Sequence, residues 1–216
     1  MDVVAAFVAT LVSARLAAEL LRRSRDTEGA QRLASRLWAA SLGSFAVACG
    51  ALAWGAAAGF DERAFRVYYL AGALLSAPLL GAGSLVAVRG WRVGGVAAAY
   101  AGVAVGVAVA VPLHGTFPGT TIPEAQEHLA LVPARLLAIT GNSVGTALAV
   151  AVLVLSLKRR PVRSMLLLVG IGVAAAGSAL TGLGVAEASV SFAVASVLLY
   201  AGARYPRERI QSPPRV

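Results

Sequence analysis

Residues 133–161 read PARLLAITGNSVGTALAVAVLVLSLKRRP, with twenty-two uncharged residues between Arg135 and Lys158, a proline at each end and three consecutive cations as the stop. A hydrocarbon layer roughly 30 Å thick needs about 20 apolar residues per helical crossing, so this stretch predicts a membrane span closed by Lys158, Arg159 and Arg160. Working outward, six more apolar segments repeat the pattern. They run from about Val3 to Leu21, Leu37 to Phe60, Phe65 to Val88, Val93 to Leu113, Val162 to Thr181 and Ala186 to Ala203. The expected fold is all-α, a polytopic seven-helix bundle forming a single domain over residues 1–216.

Composition points the same way. The chain is 58% hydrophobic and 13% charged, with a mean hydropathy of +0.77. An ordinary soluble domain carries about 25% charged residues, and a soluble core cannot absorb this much apolar surface. The net charge of +9 would suggest a nucleic-acid partner in a soluble protein. Here the cations sit in short loops beside apolar spans, where they set topology and attract anionic membrane lipids, so no nucleic-acid partner is expected.

Sixteen of the nineteen cations fall on one side of the ladder. Arg15, Arg22, Arg23, Arg25, Arg32 and Arg36 flank the first turn, Arg89 and Arg92 the third, and Lys158, Arg159, Arg160 and Arg163 the fifth. Arg204, Arg207, Arg209 and Arg215 close the chain, leaving Arg63, Arg66 and Arg135 opposite. The positive-inside rule then places the N-terminus outside and the tail 204–216 in the cytoplasm of a bacterial plasma membrane. Trp38, Trp54, Trp91, Tyr200 and Tyr205 fall where an interfacial aromatic belt would lie. Met1-Asp2 turns apolar without a basic region or a small-residue cleavage site, so the first segment is expected to stay in the mature protein.

Local signals refine the ladder. Arg15 and Glu19 are spaced to pair at i,i+4, Asp26-Thr27-Glu28 reads as a helix cap, and Pro133 suits a first helical position. Gly182 and Gly184 mark a turn. The one long connection, His114 to Leu131, contains Pro118, Pro123, Glu124, Glu127 and His128 and predicts a loop with one short helix. Small residues four apart occur at Gly102/Gly106, Gly141/Gly145 and Gly170/Ala174, which lets helices approach closely within the bundle or across a homo-oligomer seam. Segment four has Tyr100 as its one large side chain, which predicts a place inside the bundle or in an oligomer contact.

Two polar stripes are candidates for a ligand site. Arg135, Ile139, Asn142 and Thr146 share one helical face of segment five, and Tyr69, Gly72, Ser76 and Gly83 form a similar stripe around Pro78, with Arg66 and Tyr68 at its outer mouth. Ser178 and Thr181 offer the same chemistry in segment six. A polar side chain in hydrocarbon must face another helix or water. One reading is therefore an outward-accessible site between segments three, five and six, where Arg66 and Arg135 attract an anionic or zwitterionic ligand and Tyr69, Ser76, Asn142 and Thr146 hydrogen-bond it. The other reading is interhelical glue.

Catalytic and cofactor chemistry find little support. No nucleophile constellation or phosphate loop occurs, and Cys49 stands alone in a span as a small buried hydrophobe, so neither a disulfide nor a thiolate metal site is available. His114, Glu124, Glu127 and His128 gather metal-capable groups on the outer loop, but their spacing specifies no tetrahedral set, and a solvated acidic loop competes with that reading. Haem between helices would need a histidine within a span. No cofactor is implied.

Tyr68-Tyr69 followed by Ser76-Ala77-Pro78-Leu79-Leu80 resembles the third helix of microbial rhodopsins, but no lysine in segment seven could hold retinal and Gly72 stands in place of a counter-ion, so no pigment is expected. The seven-span, N-out plan is similar to that of PQ-loop transporters, which would make segments one to three and five to seven parallel repeats joined by segment four; no Pro-Gln dipeptide is present. Tyr68-Tyr69-Leu70-Ala71-Gly72-Ala73-Leu74, Pro123-Glu124, Arg135-Leu136-Leu137-Ala138-Ile139, Asn142 and Gly145-Thr146 resemble a group of uncharacterised seven-span proteins of actinobacterial type. That resemblance covers segments three to five and implies the segment assignment without supplying an activity. The function expected is transport or binding of a small molecule or lipid. The alternative is a membrane sensor or assembly partner acting through basic cytoplasmic loops.

Overall fold

The apolar runs fold as helices, because in hydrocarbon every backbone amide and carbonyl must be satisfied within the chain. The computed structural model describes residues 2–117, 119–182 and 188–205, and among them the only regular elements are helices. These are α1 (Asp2–Arg23), α2 (Gly29–Ala58), α3 (Glu62–Arg89), α4 (Val93–Ala110), α5 (Leu136–Ser156, entered through a π-helical turn at Leu131–Arg135), α6 (Pro161–Gly182) and α7 (Ala188–Arg204). Six are long and apolar enough to cross a membrane, and α7 spans 17 residues. The protein is accordingly a multi-pass helical membrane bundle. Pro118, Gly184, Arg207, Arg209, Arg215 and the side chain of Thr181 lie outside the described residues.

Six helices close into a ring in the order α1, α2, α3, α5, α6, α7 and back to α1. The α1–α7 seam is held by a buried hydrogen bond between the Ser13 and Ser196 hydroxyls, 3.0 Å, and by Phe192, which meets Phe45 of α2 edge-on at 5.5 Å. Where that seam ends, Glu19 accepts from Arg23 at 2.7 Å and lies 3.5 Å from Arg204. Arg15, the partner expected for Glu19, points to the surface instead. Asp26-Thr27-Glu28 provides no side-chain cap for α2; a 3-10 turn at Ser24–Asp26 makes the bend, and the Thr27 hydroxyl donates back to Ser24. Asp61 does cap α3, accepting from the Ala64 amide at 2.7 Å.

Of the two places expected for segment four, the inside of the bundle is not the one it takes. Only 11% of α4 is buried, against 44% of α2, and it leans on α3 and the start of α5 from outside the ring. Gly102 and Gly106 face open space. Lipid tails are as apolar as a protein interior, so a run of Ala, Val and Gly is equally at home on either side of the boundary.

Candidate functional site

The centre of the molecule is the crossing of α3 and α5. Pro78 has no amide hydrogen, so its helix loses a backbone bond one turn earlier. The chain answers by widening, and Tyr69–Ser76 forms a π-helical stretch between the α-helical pieces Glu62–Tyr68 and Ala77–Arg89. Two of the carbonyls in the interruption accept from side chains of neighbouring helices. The Asn142 amide of α5 donates to the Ala73 carbonyl at 2.9 Å, and the Ser41 hydroxyl of α2 donates to the Ser76 carbonyl at 2.6 Å. Ser76 itself donates to Gly72 within the stretch.

Glycine makes the approach possible. A β-carbon on Gly145 would overlap the Ala77 carbonyl and lie 2.7 Å from the Pro78 nitrogen, and one on Gly81 would fall 2.6 Å from the Gly145 α-carbon. Gly141 receives the Tyr100 ring of α4, whose hydroxyl donates to the Leu137 carbonyl at 3.5 Å. At this point two backbones touch with no side chain between them.

The expected stripes are distributed rather than merged. That of α3 turns toward α2: Gly72 meets Ala48, the Ser76 carbonyl takes Ser41, and Gly83 meets Trp38, whose indole donates to Ser84 at 3.3 Å. That of α5 lies on the flank of the buried face formed by Ala134, Ala138, Gly145 and Ala149, roughly a quarter turn away. Ile139, its centre, is 56% exposed, while Arg135, Asn142 and Thr146 are half-buried. In segment six Ser178 donates to Ala174 of its own helix, and α6 packs chiefly on α7 and α5.

Arg66 has a partner the sequence did not suggest. Its guanidinium holds Glu62 at 2.8 Å and donates to the carbonyls of Ala108 at 2.7 Å and Val111 at 2.9 Å. Those are the open carbonyls at the C-terminus of α4, where a cation is favourable. The arginine thus pins the C-terminal end of the peripheral helix to α3. Beside it Tyr69 is buried and stacks on Phe65 at 5.9 Å. Phe65, Arg66, Tyr69, Val111, Leu129 and Ala134 border a cleft of about 10 Å³ beside the 111–131 loop. That is about the volume a single water needs.

The loop is more ordered in its contacts than a solvated acidic segment. His128 is the last residue of the single helical turn Ala125–His128 and is 2% exposed, stacked on Phe117 at 4.6 Å and close to Phe65. Its Nδ1 lies 2.8 Å from the His114 carbonyl, while the His114 amide donates to the His128 carbonyl at 3.0 Å. Nε2 is buried without a partner among the described residues. Across the loop, Phe60 donates its amide to Gly119. The side chains of His114 and Glu127 are exposed, and Glu124 accepts from Gln126. Among the described residues no three His, Cys, Asp or Glu side chains are placed to hold a metal ion. The signals that could have placed His128 inside were its apolar neighbours Phe117 and Leu129.

Compared with protein families, with characterised proteins and with solved structures, the chain matches none of them.

Proposed function

We propose that the protein spans a bacterial plasma membrane seven times, N-terminus outside, and binds or transports a small molecule or lipid at an outward-facing site on the outer half of α3. The observation that carries this reading is the interrupted third helix. A π-helical break above a proline, with its carbonyls held by side chains of α2 and α5, is the kind of discontinuity that membrane carriers place at substrate sites and that helices use as hinges. Above it lie Arg66 and Tyr69, which border the small cleft, and Arg135 at the entry to α5. The site is drawn between α3, α4 and α5, with Asn142 as the link to the hinge, because the cleft is bordered by Arg66 and Tyr69 of α3, Ala108 of α4 and Ala134 at the entry to α5.

Native mass spectrometry of gently purified protein tests the reading. Wild type should retain a small-molecule or lipid adduct that Tyr69→Ala and Arg135→Ala lose. An adduct retained equally by both variants, or a bare wild-type monomer, refutes it. A second reading, an assembly or sensor partner, is favoured by the position of α4: Gly95, Gly102 and Gly106 face open space beside exposed Val96, Val103 and Val109. A co-purifying polypeptide or a stable dimer in the same experiment would support it.

A further inference from the structure

The cations at one end of the bundle are not equivalent. Around the turn between α1 and α2 they are interspersed with Glu19, Asp26 and Glu28, and Glu19 is paired with Arg23 and Arg204. The turns α3–α4 and α5–α6 differ. They carry Arg89, Arg92, Lys158, Arg159 and Arg160, all exposed, and no Asp or Glu occurs anywhere in residues 63–123 or 129–186. No described ion pair involves these five. α3 packs along α5, and both run toward this end after crossing at Gly81 and Gly145, so the two turns cap adjacent helices at the same end of the bundle.

The surface beside them is apolar and open. Val88 at the end of α3, Trp91 in the turn, Leu155 near the end of α5 and Met165 in the first turns of α6 are exposed, Leu155 to 74%. Cations above an exposed apolar flank match an amphiphile with an anionic head and hydrocarbon tails. A soluble polyanion would leave that flank uncovered. One further feature favours phosphate: α4 begins beside Arg92 without a side-chain cap.

We infer that this corner is a binding site for an anionic membrane lipid whose headgroup carries two phosphates, one held by Arg89 and Arg92 and the other by Lys158, Arg159 and Arg160. Basic clusters between spans on this kind of face hold such headgroups, each cation adding to the attraction. The inference is independent of the outer site, since it concerns the opposite end of the bundle.

The test is a titration of the full-length, detergent-solubilised protein, followed by native mass spectrometry, with cardiolipin, phosphatidylglycerol, phosphatidylcholine or inorganic pyrophosphate. Cardiolipin should bind with a stoichiometry near one and at least about tenfold more tightly than phosphatidylglycerol, with phosphatidylcholine weaker still. The triple variant Arg89→Gln/Arg92→Gln/Arg159→Gln should weaken cardiolipin at least about tenfold, whereas Arg22→Gln/Arg25→Gln/Arg36→Gln, with the same change in net charge, should change it less than about threefold. Equal losses in the two triples would mean that net charge alone attracts lipid and would overturn the site. Pyrophosphate binding as tightly as cardiolipin would overturn the lipid assignment. If the first triple does not fold, the wild-type series decides alone: no preference for cardiolipin over phosphatidylglycerol refutes the inference.

Discussion

The crossing of α3 and α5 and the exposed face of α4 are built from the same material and behave oppositely. Both place glycines four apart, Gly141 and Gly145 in one, Gly102 and Gly106 in the other. At the crossing a β-carbon on Gly145 would strike the backbone of Ala77; on α4 a β-carbon at either glycine meets nothing within 4 Å. Spacing of small residues therefore shows where a close approach is allowed, and only the neighbour decides whether it occurs. In water an exposed run like α4 would be driven inward, but a bilayer removes that drive.

Substitutions can break this contrast, and the largest effect belongs to the crossing. Gly145→Ala should destabilise the protein by about 3 kcal/mol, read from unfolding in a denaturing-detergent titration, because the contact is backbone on backbone and cannot relax by a rotamer change. A loss under about 1 kcal/mol would mean that the helices sit further apart. Asn142→Ala comes next. It removes the donor that satisfies Ala73, and interhelical hydrogen bonds in membranes average about 0.6 kcal/mol with a maximum near 1.7, so a value of about 1.5 kcal/mol is expected for a carbonyl with no alternative donor beside Pro78. Ser13→Ala should cost about 0.6 kcal/mol, since Ser196 can still donate to the Phe192 carbonyl at 2.7 Å. Gly102→Ala should change stability by less than about 0.5 kcal/mol. A large loss there, present only at high protein concentration, would turn the contrast around and reveal a partner for α4.

Much of the bundle was legible because its physics is one-dimensional: a span needs an apolar run, and the run shows in the sequence. Pro78 entered only as the centre of a polar stripe and the break it makes in α3 went unread, whereas Asn142 announced a polar group in need of a partner. Which partner was hidden, because a backbone carbonyl exists at every residue and only the π-helical widening makes that of Ala73 available. Arg66 illustrates the same limit. Its place near the N-terminal end of α3 was readable, but the end of α4 that occupies its guanidinium lies more than forty positions away in the chain. The stripe on α5 lies along one flank of its helix, and a face known from spacing has no neighbour until the ring order is known. His128 escaped for a different reason: acidic neighbours in sequence suggested solvent, while Phe65 and Phe117 enclose it in space.

The central claim is that α3 is an interrupted helix held together by α2 and α5 and built to hinge there. Hydrogen–deuterium exchange in lipid nanodiscs addresses it directly, comparing wild type with Ser41→Ala/Asn142→Ala. The account predicts at least about tenfold faster exchange confined to residues 70–82, with the amides of 96–106 unchanged. Exchange that is unaltered in 70–82, or that rises equally throughout the bundle, would contradict it.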